Sequence, residues 1–299
     1  MTKSSHLDRR EFVAMTGLAA ATLGACAGET AAPPPPDPSP EEPTIVRVAS
    51  VKTAVEGQVL PELIKQFERG RNLRVRLTTG TAVYDLARAG KIDLIISHYG
   101  HHDAEAFVLD GNGEWPRTIF SNQMALVGPP SDPAGIRGLA DVVLAFQRIA
   151  ETRSKYLLND IDGVRYLTEI LWNAAGRPPR EPWLIDGHSS KDGAIKQAAE
   201  LGAYCLWGLT PFLRVESAKQ LALEPLVLAD PLLQRMLVSI IVKPGAGRRI
   251  NTAGATAFQA FLLEPATQAT IRTIHYPGPQ RVAWMPAGRH NRTAILPKT

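Results

Sequence analysis

The chain has 299 residues, a formal charge of +4, 44% apolar and 21% charged residues. This is the composition of a soluble globular protein with length for about two domains. The small charge comes without a long Lys/Arg run or a basic stretch interleaved with aromatics, which argues against a nucleic-acid partner.

Arg9 and Arg10 precede an apolar run over residues 13–25, mainly Ala, Gly, Leu and Thr. The run is short of the ~20 apolar residues a membrane span needs. A basic start, a short apolar run and small residues read as an export signal over residues 1–25, similar to the twin-arginine type. Leu23-Gly24-Ala25-Cys26 resembles a bacterial lipobox, so Cys26 is the expected lipidation site. Residues 26–43 then form a Pro-rich, semi-rigid spacer. With Cys26 lipidated, the remaining Cys205 has no disulfide partner and reads as a small buried hydrophobe.

Residues 44–50 (TIVRVAS) alternate and are rich in β-branched side chains, which predicts a strand. A loop is expected over 51–57, a helix over 59–69, a strand over 73–79 and a short helix over 82–89. The near-continuous apolar run at 91–97 is that of a strand buried on both faces. A loop over 98–102 leads to another short helix. Further strands are expected at 122–129, 155–160, 183–187, 202–208, 224–230 and 236–244. Helices are expected at 139–151, 163–175, 190–201 and 252–263. This alternation predicts an α/β fold of mostly parallel sheets with helices on both faces. The length divides it into two lobes: residues 44–124 and 235–285 in one, 125–234 in the other, with a tail at 286–299. Ligands of such sheets sit beyond the C-terminal ends of the strands, where helix N-termini favour anions.

At VGPPSDPAGIRGL (127–139) the chain resembles the tungstate-binding proteins of ABC transporters, which have a two-lobed, type II periplasmic-binding-protein-like fold. The family shows VGP followed by DPAGIKGL here. PELIKQFER (61–69) is similar to its first helix, GKIDLIISH (90–98) to its GDADVLLVH, and LWNAAG (171–176) to its LWKAAG. Trp183 and GAY (202–204) also fit, and the resemblance runs over about residues 44–274. It implies an extracytoplasmic binding protein that holds a small oxyanion, tungstate- or molybdate-like, and delivers it to an ABC permease. Such a protein makes and breaks no bond, needs no cofactor and works as a monomer.

The departures fall on the ligand loops. The family's Thr-Thr-Thr-Ser is here Ser50-Val51-Lys52-Thr53, and its Gly-Thr-Gly is Thr79-Gly80-Thr81. In its Arg-Gly-Asp-Asp-Ser-Gly-Thr-His loop, here residues 158–165, the Arg becomes Leu158 and the His becomes Arg165, while Asp160 and Gly163 stay. A buried dianion needs several N–H and O–H donors. Ser50, Thr53, Thr81, Ser189, Ser190 and the backbone at Gly163 can donate, Lys52, Arg165 and Lys191 add charge, and Asp160 lies in the same loop. These ten are the expected ligand-binding residues. Ser190 also reads as a helix cap and Asp160 as a turn residue.

Three histidines, His98, His101 and His102, fall within five residues, with His188 elsewhere. Gly100 interrupts them and no HExxH-type pattern is present, so no metal site is expected. No G-x-S-x-G elbow, P-loop or G-x-G-x-x-G occurs, which argues against a hydrolase and against nucleotides. Two other readings stay open: a ligand-sensing or metal-binding lipoprotein on the same fold, and, more remotely, a hydrolase.

Overall fold

The alternating residues 44–50 form strand β1 (Thr44–Ser50) in the computed structural model, which describes residues 42–275 except 101 and 220, and residues 284–287. Cys26, the export signal, most of the linker and residues 288–299 lie outside the described residues. From β1 the chain runs through α1 (Lys52–Glu56), α2 (Val59–Glu68), β2 (Leu73–Thr79), α3 (Val83–Arg88), β3 (Leu94–His98), α4 (His102–Leu109) and the long strand β4 (Arg117–Gly128). It continues through α5 (Val142–Glu151), β5 (Tyr156–Leu157), α6 (Asp162–Ala174), β6 (Leu184–Ile185), α7 (Lys191–Leu201), β7 (Tyr204–Gly208), α8 (Leu209–Lys219) and β8 (Glu224–Val227). It closes with β9 (Gln234–Ile241), α9 (Thr252–Leu263), α10 (Pro265–Ile271) and β10 (Met285–Pro286).

Three helices depart from the sequence expectation. Residues 52–56 form α1 rather than a loop; its single buried residue is Ala54, and so short a helix shows no period. α8 follows β7 without a connecting loop, and Pro211 in its first turn resembles a chain break. Proline is tolerated there because the first-turn N–H groups have no intrahelical partner. Its signal was Leu209, Phe212 and Leu213 at i, i+3 and i+4, all buried. α10 begins at Pro265 directly after α9 for the same reason.

The strands follow the order β2-β1-β3-β9-β4-β7-β5-β6, with β10 and β8 added along β4. The outer pairings β1–β2, β1–β3, β5–β6 and β5–β7 are parallel. Pairings around β4 and β9 are antiparallel, so the sheet is mixed and its parallel part lies in the two wings. β4 belongs to both halves: Arg117–Gln123 pair with β9, and Met124 onward pairs with β7 and β8. The chain crosses back after Pro231–Leu233, a 3-10 turn capped by Asp230.

Each half has apolar layers on both faces of its strands. Leu94 and Ile96 of β3 pack with Phe67, Phe258 and Trp284, while Ile95 faces Tyr84 and Phe107. In the other half Leu126 and Leu206 join Phe146 and Trp183, while Val127 and Cys205 face Ile195 and Phe212. Phe67 and Phe258 meet edge to face at 4.9 Å, worth ~0.5–1.5 kcal/mol beyond the area they bury. Cys205 is fully buried, and burial pushes its thiol up to about 12, as expected of a small hydrophobe.

Two polar knots tie the elements together. Buried Asp93 accepts Arg47 Nη2 at 2.5 Å and Nε at 3.0 Å, and the amides of Arg47 and Asn251 at 2.7 and 2.8 Å. Arg47 also donates to the carbonyls of Gly90 and Arg249, each at 2.7 Å. Burial pushes the Asp93 carboxyl up, but the Arg47 hydrogen bonds and charge and the Asn251 amide outweigh it and hold the group below its ordinary value. The second knot explains the motif at 127–139. Asp132, at φ 42°, accepts the amides of Ile136 and Arg137 at 3.1 and 2.8 Å and the Tyr204 hydroxyl at 2.7 Å. That motif folds its own loop onto β7.

Candidate functional site

A cleft of about 530 Å³ opens between the halves, within the usual size of a small-molecule site. The segments following β1, β5, β6 and β7 line it, as the strand-end rule requires. They contribute Lys52 and Thr53, Ile161, Gly163 and Val164, Lys191 and Asp192, and Gly208 with Pro211 and Arg214. β3 contributes His98 at its C-terminal end, and the crossing strands β4 and β9 supply Asn122, Met124 and Arg235. Four of the lining residues are cations (Lys52, Lys191, Arg214, Arg235) and two are carboxylates (Glu56, Asp192), a formal balance of +2.

Two long helices present their N-termini here without side-chain caps. Ile161 precedes α6 and offers no acceptor to the first-turn amides. Ser190 precedes α7 and makes no side-chain cap either. At α7 the Asn159 side chain takes the Lys191 amide at 2.8 Å, which ties the two helix starts together. Lys191 adopts φ 52°, a costly left-handed conformation for a non-glycine residue, of the kind that collects at functional sites. Elsewhere α5 and α9 are capped by Asp141 and Asn251.

Arg235 is half-buried at the cleft without a counter-charge. Among the described residues no carboxylate pairs with it; its side-chain contact is Met124 Sδ at 3.9 Å from Nη1. Burial pushes its guanidinium below the ordinary arginine value. A Cβ placed on Gly163 would lie 3.1 Å from Arg235 Nη1 and 3.3 Å from Nη2, so the guanidinium lies against the start of α6. Asn122 is 2% exposed, and its Oδ1 has no partner. Arg214 spends Nη2 on Asp192, at 3.2 Å to both oxygens, while its Nε has no partner.

Of the ten expected ligand residues, Lys52, Thr53, Gly163 and Lys191 line the cleft. The others do not. Ser50 is fully buried and donates to Val51 O at 3.1 Å. Thr81 is exposed in the loop after β2. Arg165 is held by Asp160 and, at 2.9 Å, by Asp186, which uses up both the cation and the Asp160 carboxylate. Ser189 donates to Gln197, and Ser190 stays an exposed residue ahead of α7. Leu158 is buried and apolar, so that position offers no side-chain donor. Among the described residues no group of three His, Cys, Asp or Glu could hold a metal ion; His101 and the His102 side chain lie outside the description. No helix of the described residues is long and apolar enough to cross a membrane.

Asn122, Met124, Trp207, Arg214 and Arg235 were missed because the strand-end rule directs attention to loops. The available signal was Arg235 at the head of the apolar run of β9.

No protein-family model matches the chain. A putative ABC transporter anion-binding protein of Haloferax volcanii is 28% identical, over 92% of this chain and 85% of that protein. Tungstate-binding protein TupA of Peptoclostridium acidaminophilum is 25% identical, over 76% of this chain and 80% of its own length. The solved structure of tungstate-binding protein TupA from Desulfovibrio alaskensis G20 superposes with a TM-score of 0.72 at 23% identity, covering 81% of this chain and 98% of that one. The chain thus has the two-lobed, type II periplasmic-binding-protein fold, and in sequence it is similar to an anion-binding and a tungstate-binding protein.

Proposed function

We propose that the protein is an extracytoplasmic solute-binding protein that captures a small oxyanion, tungstate- or molybdate-like, and hands it to an ABC permease. The observation that carries this reading is the cleft itself, where the uncapped N-terminus of α6, the start of α7 and a formal +2 face the same space. Helix N-termini and cations together form an anion site. The similarity to a putative ABC transporter anion-binding protein and to a tungstate-binding protein supports the same ligand class and partner. In this reading residues 44–124 with 235–285 are one lobe and 125–234 the other, and closure about β4 and β9 encloses the ligand. Lys52, Thr53, Gly163 and Lys191 are the loop residues assigned to ligand contact. Export through residues 1–25 and lipidation at Cys26 would hold the domain at the outer face of the cytoplasmic membrane, where it acts as a monomer and without catalysis.

The test is calorimetric titration of the purified protein with tungstate, molybdate, sulfate, phosphate and nitrate. Saturable one-to-one binding of a tetrahedral dianion, without turnover, is expected. At 100 times the dissociation constant the ligand adds about 2.7 kcal/mol of stability. Absence of binding by every oxyanion overturns the reading.

A further inference from the structure

Arg235 and Asn122 stand directly opposite each other in the antiparallel register of β9 and β4. Directly opposed residues project to the same face of a sheet, and both line the cleft. They sit where the chain passes between the halves: two residues beyond Asn122 on β4, at Met124, pairing changes from β9 to β7. Neither side chain is satisfied. Arg235 has a sulfur at 3.9 Å and no carboxylate among the described residues. Asn122, almost fully buried, leaves Oδ1 without a partner. Desolvating a guanidinium or an amide without compensating hydrogen bonds is costly. Strand positions of this kind are normally apolar, as Leu237 and Leu126 are on the same two strands.

We propose that Arg235 and Asn122 form the floor of the ligand site, where the guanidinium fork grips two oxygens of one oxyanion and the Asn122 amide donates to the same group through Nδ2, its Oδ1 turned away from the anion. The inference rests on the anion reading above and assigns its principal contact to strand residues instead of the loops. A guanidinium presents parallel N–H donors at the spacing of two oxygens on one centre, which a lysine cannot do. The placement against Gly163 sets the edge of the site: the guanidinium packs on the start of α6, so an anion held by its fork lies beside the uncapped first turn of that helix. Gly163 permits this because any larger residue would press on Nη1 and Nη2. The floor is carried on β9, whereas Gly163 belongs to the other half. One anion touching both therefore links the two halves.

The experiment compares wild-type protein, Arg235→Met, Arg235→Lys and Asn122→Ala, each titrated with tungstate and melted without ligand. Arg235→Met should weaken tungstate binding at least about a hundredfold while its ligand-free melting temperature stays level or rises, because a half-buried charge with no carboxylate partner has gone. Arg235→Lys should weaken it about tenfold, and Asn122→Ala several-fold. A purely structural arginine would instead show a lowered ligand-free melting temperature with affinity retained in the folded fraction. Wild-type affinity in Arg235→Lys, or in folded Arg235→Met, overturns the assignment while leaving the anion reading intact. Absence of oxyanion binding by the wild type overturns both.

Discussion

Arg47 and Arg235 are both partly covered arginines on strands of the first half, yet they face opposite circumstances. Arg47 meets a buried carboxylate and two backbone carbonyls. The Asp93 side-chain hydrogen bond raises its pKa against the opposing effect of burial. Arg235 meets a thioether and the open face of the cleft, and burial lowers its pKa with nothing to oppose it. The first arginine is complete within the fold. The second is complete only when an anion arrives. An ion pair that is satisfied internally marks architecture, and a half-buried cation without a carboxylate beside two helix starts marks a place for a ligand.

The contrast breaks first at Asp93. Asp93→Ala leaves Arg47 without its carboxylate, and removal of one partner from a buried pair costs about 3–5 kcal/mol. Urea unfolding should show this loss with the same tungstate affinity in the folded protein. A loss below about 1 kcal/mol would mean the pair contributes little. The same pair sets an acid limb. The folded Asp93 carboxyl is held below its ordinary value, so its stabilisation is complete above the unfolded value of ~3.9 and is lost as pH falls through the lower folded value. Asp93→Asn should flatten that limb in melting curves taken between about pH 2 and 5, and an unchanged limb would assign it to other carboxylates.

A smaller effect separates folding from binding at the cleft. Gly163→Ala places a methyl group 3.1 Å from Arg235 Nη1, and the guanidinium must move by a few tenths of an ångström. Alanine also favours the helix over glycine by up to ~1 kcal/mol. Stability should stay level or rise while tungstate affinity drops about tenfold; unchanged affinity would show that the guanidinium position is not critical. The smallest effect is expected at Arg165. Its pairs with Asp160 and Asp186 are largely exposed, and exposed pairs contribute ~0–1 kcal/mol each. Arg165→Ala should change affinity less than threefold by calorimetry. A hundredfold loss would return that residue to the site.

These residues also divide what the sequence discloses from what it hides. The apolar run of β3 and the alternation of β1 reveal their strands because burial on two faces or one imposes those patterns. Lys52, Thr53, Gly163 and Lys191 were legible because they follow strands and begin helices. Arg165 sits in an equally suggestive loop, and its two carboxylate partners, one of them on the loop after β6, were visible only in three dimensions. Asn122 and Arg235 are 113 residues apart in the chain and lie within runs that read as ordinary strands. Their meeting depends on the β4–β9 register, which no local pattern states. α8 was hidden by Pro211, a residue that means opposite things at the start and in the middle of a helix.

The most direct test is a crystal of the tungstate-soaked protein measured at a tungsten absorption edge, which locates the metal centre without reference to any assumed site. The account predicts one strong anomalous peak in the cleft, with oxygens in hydrogen-bonding reach of the Arg235 guanidinium and the first-turn amides of α6. A peak at Asp160–Arg165–Asp186, or no ordered peak at saturating tungstate, would contradict it.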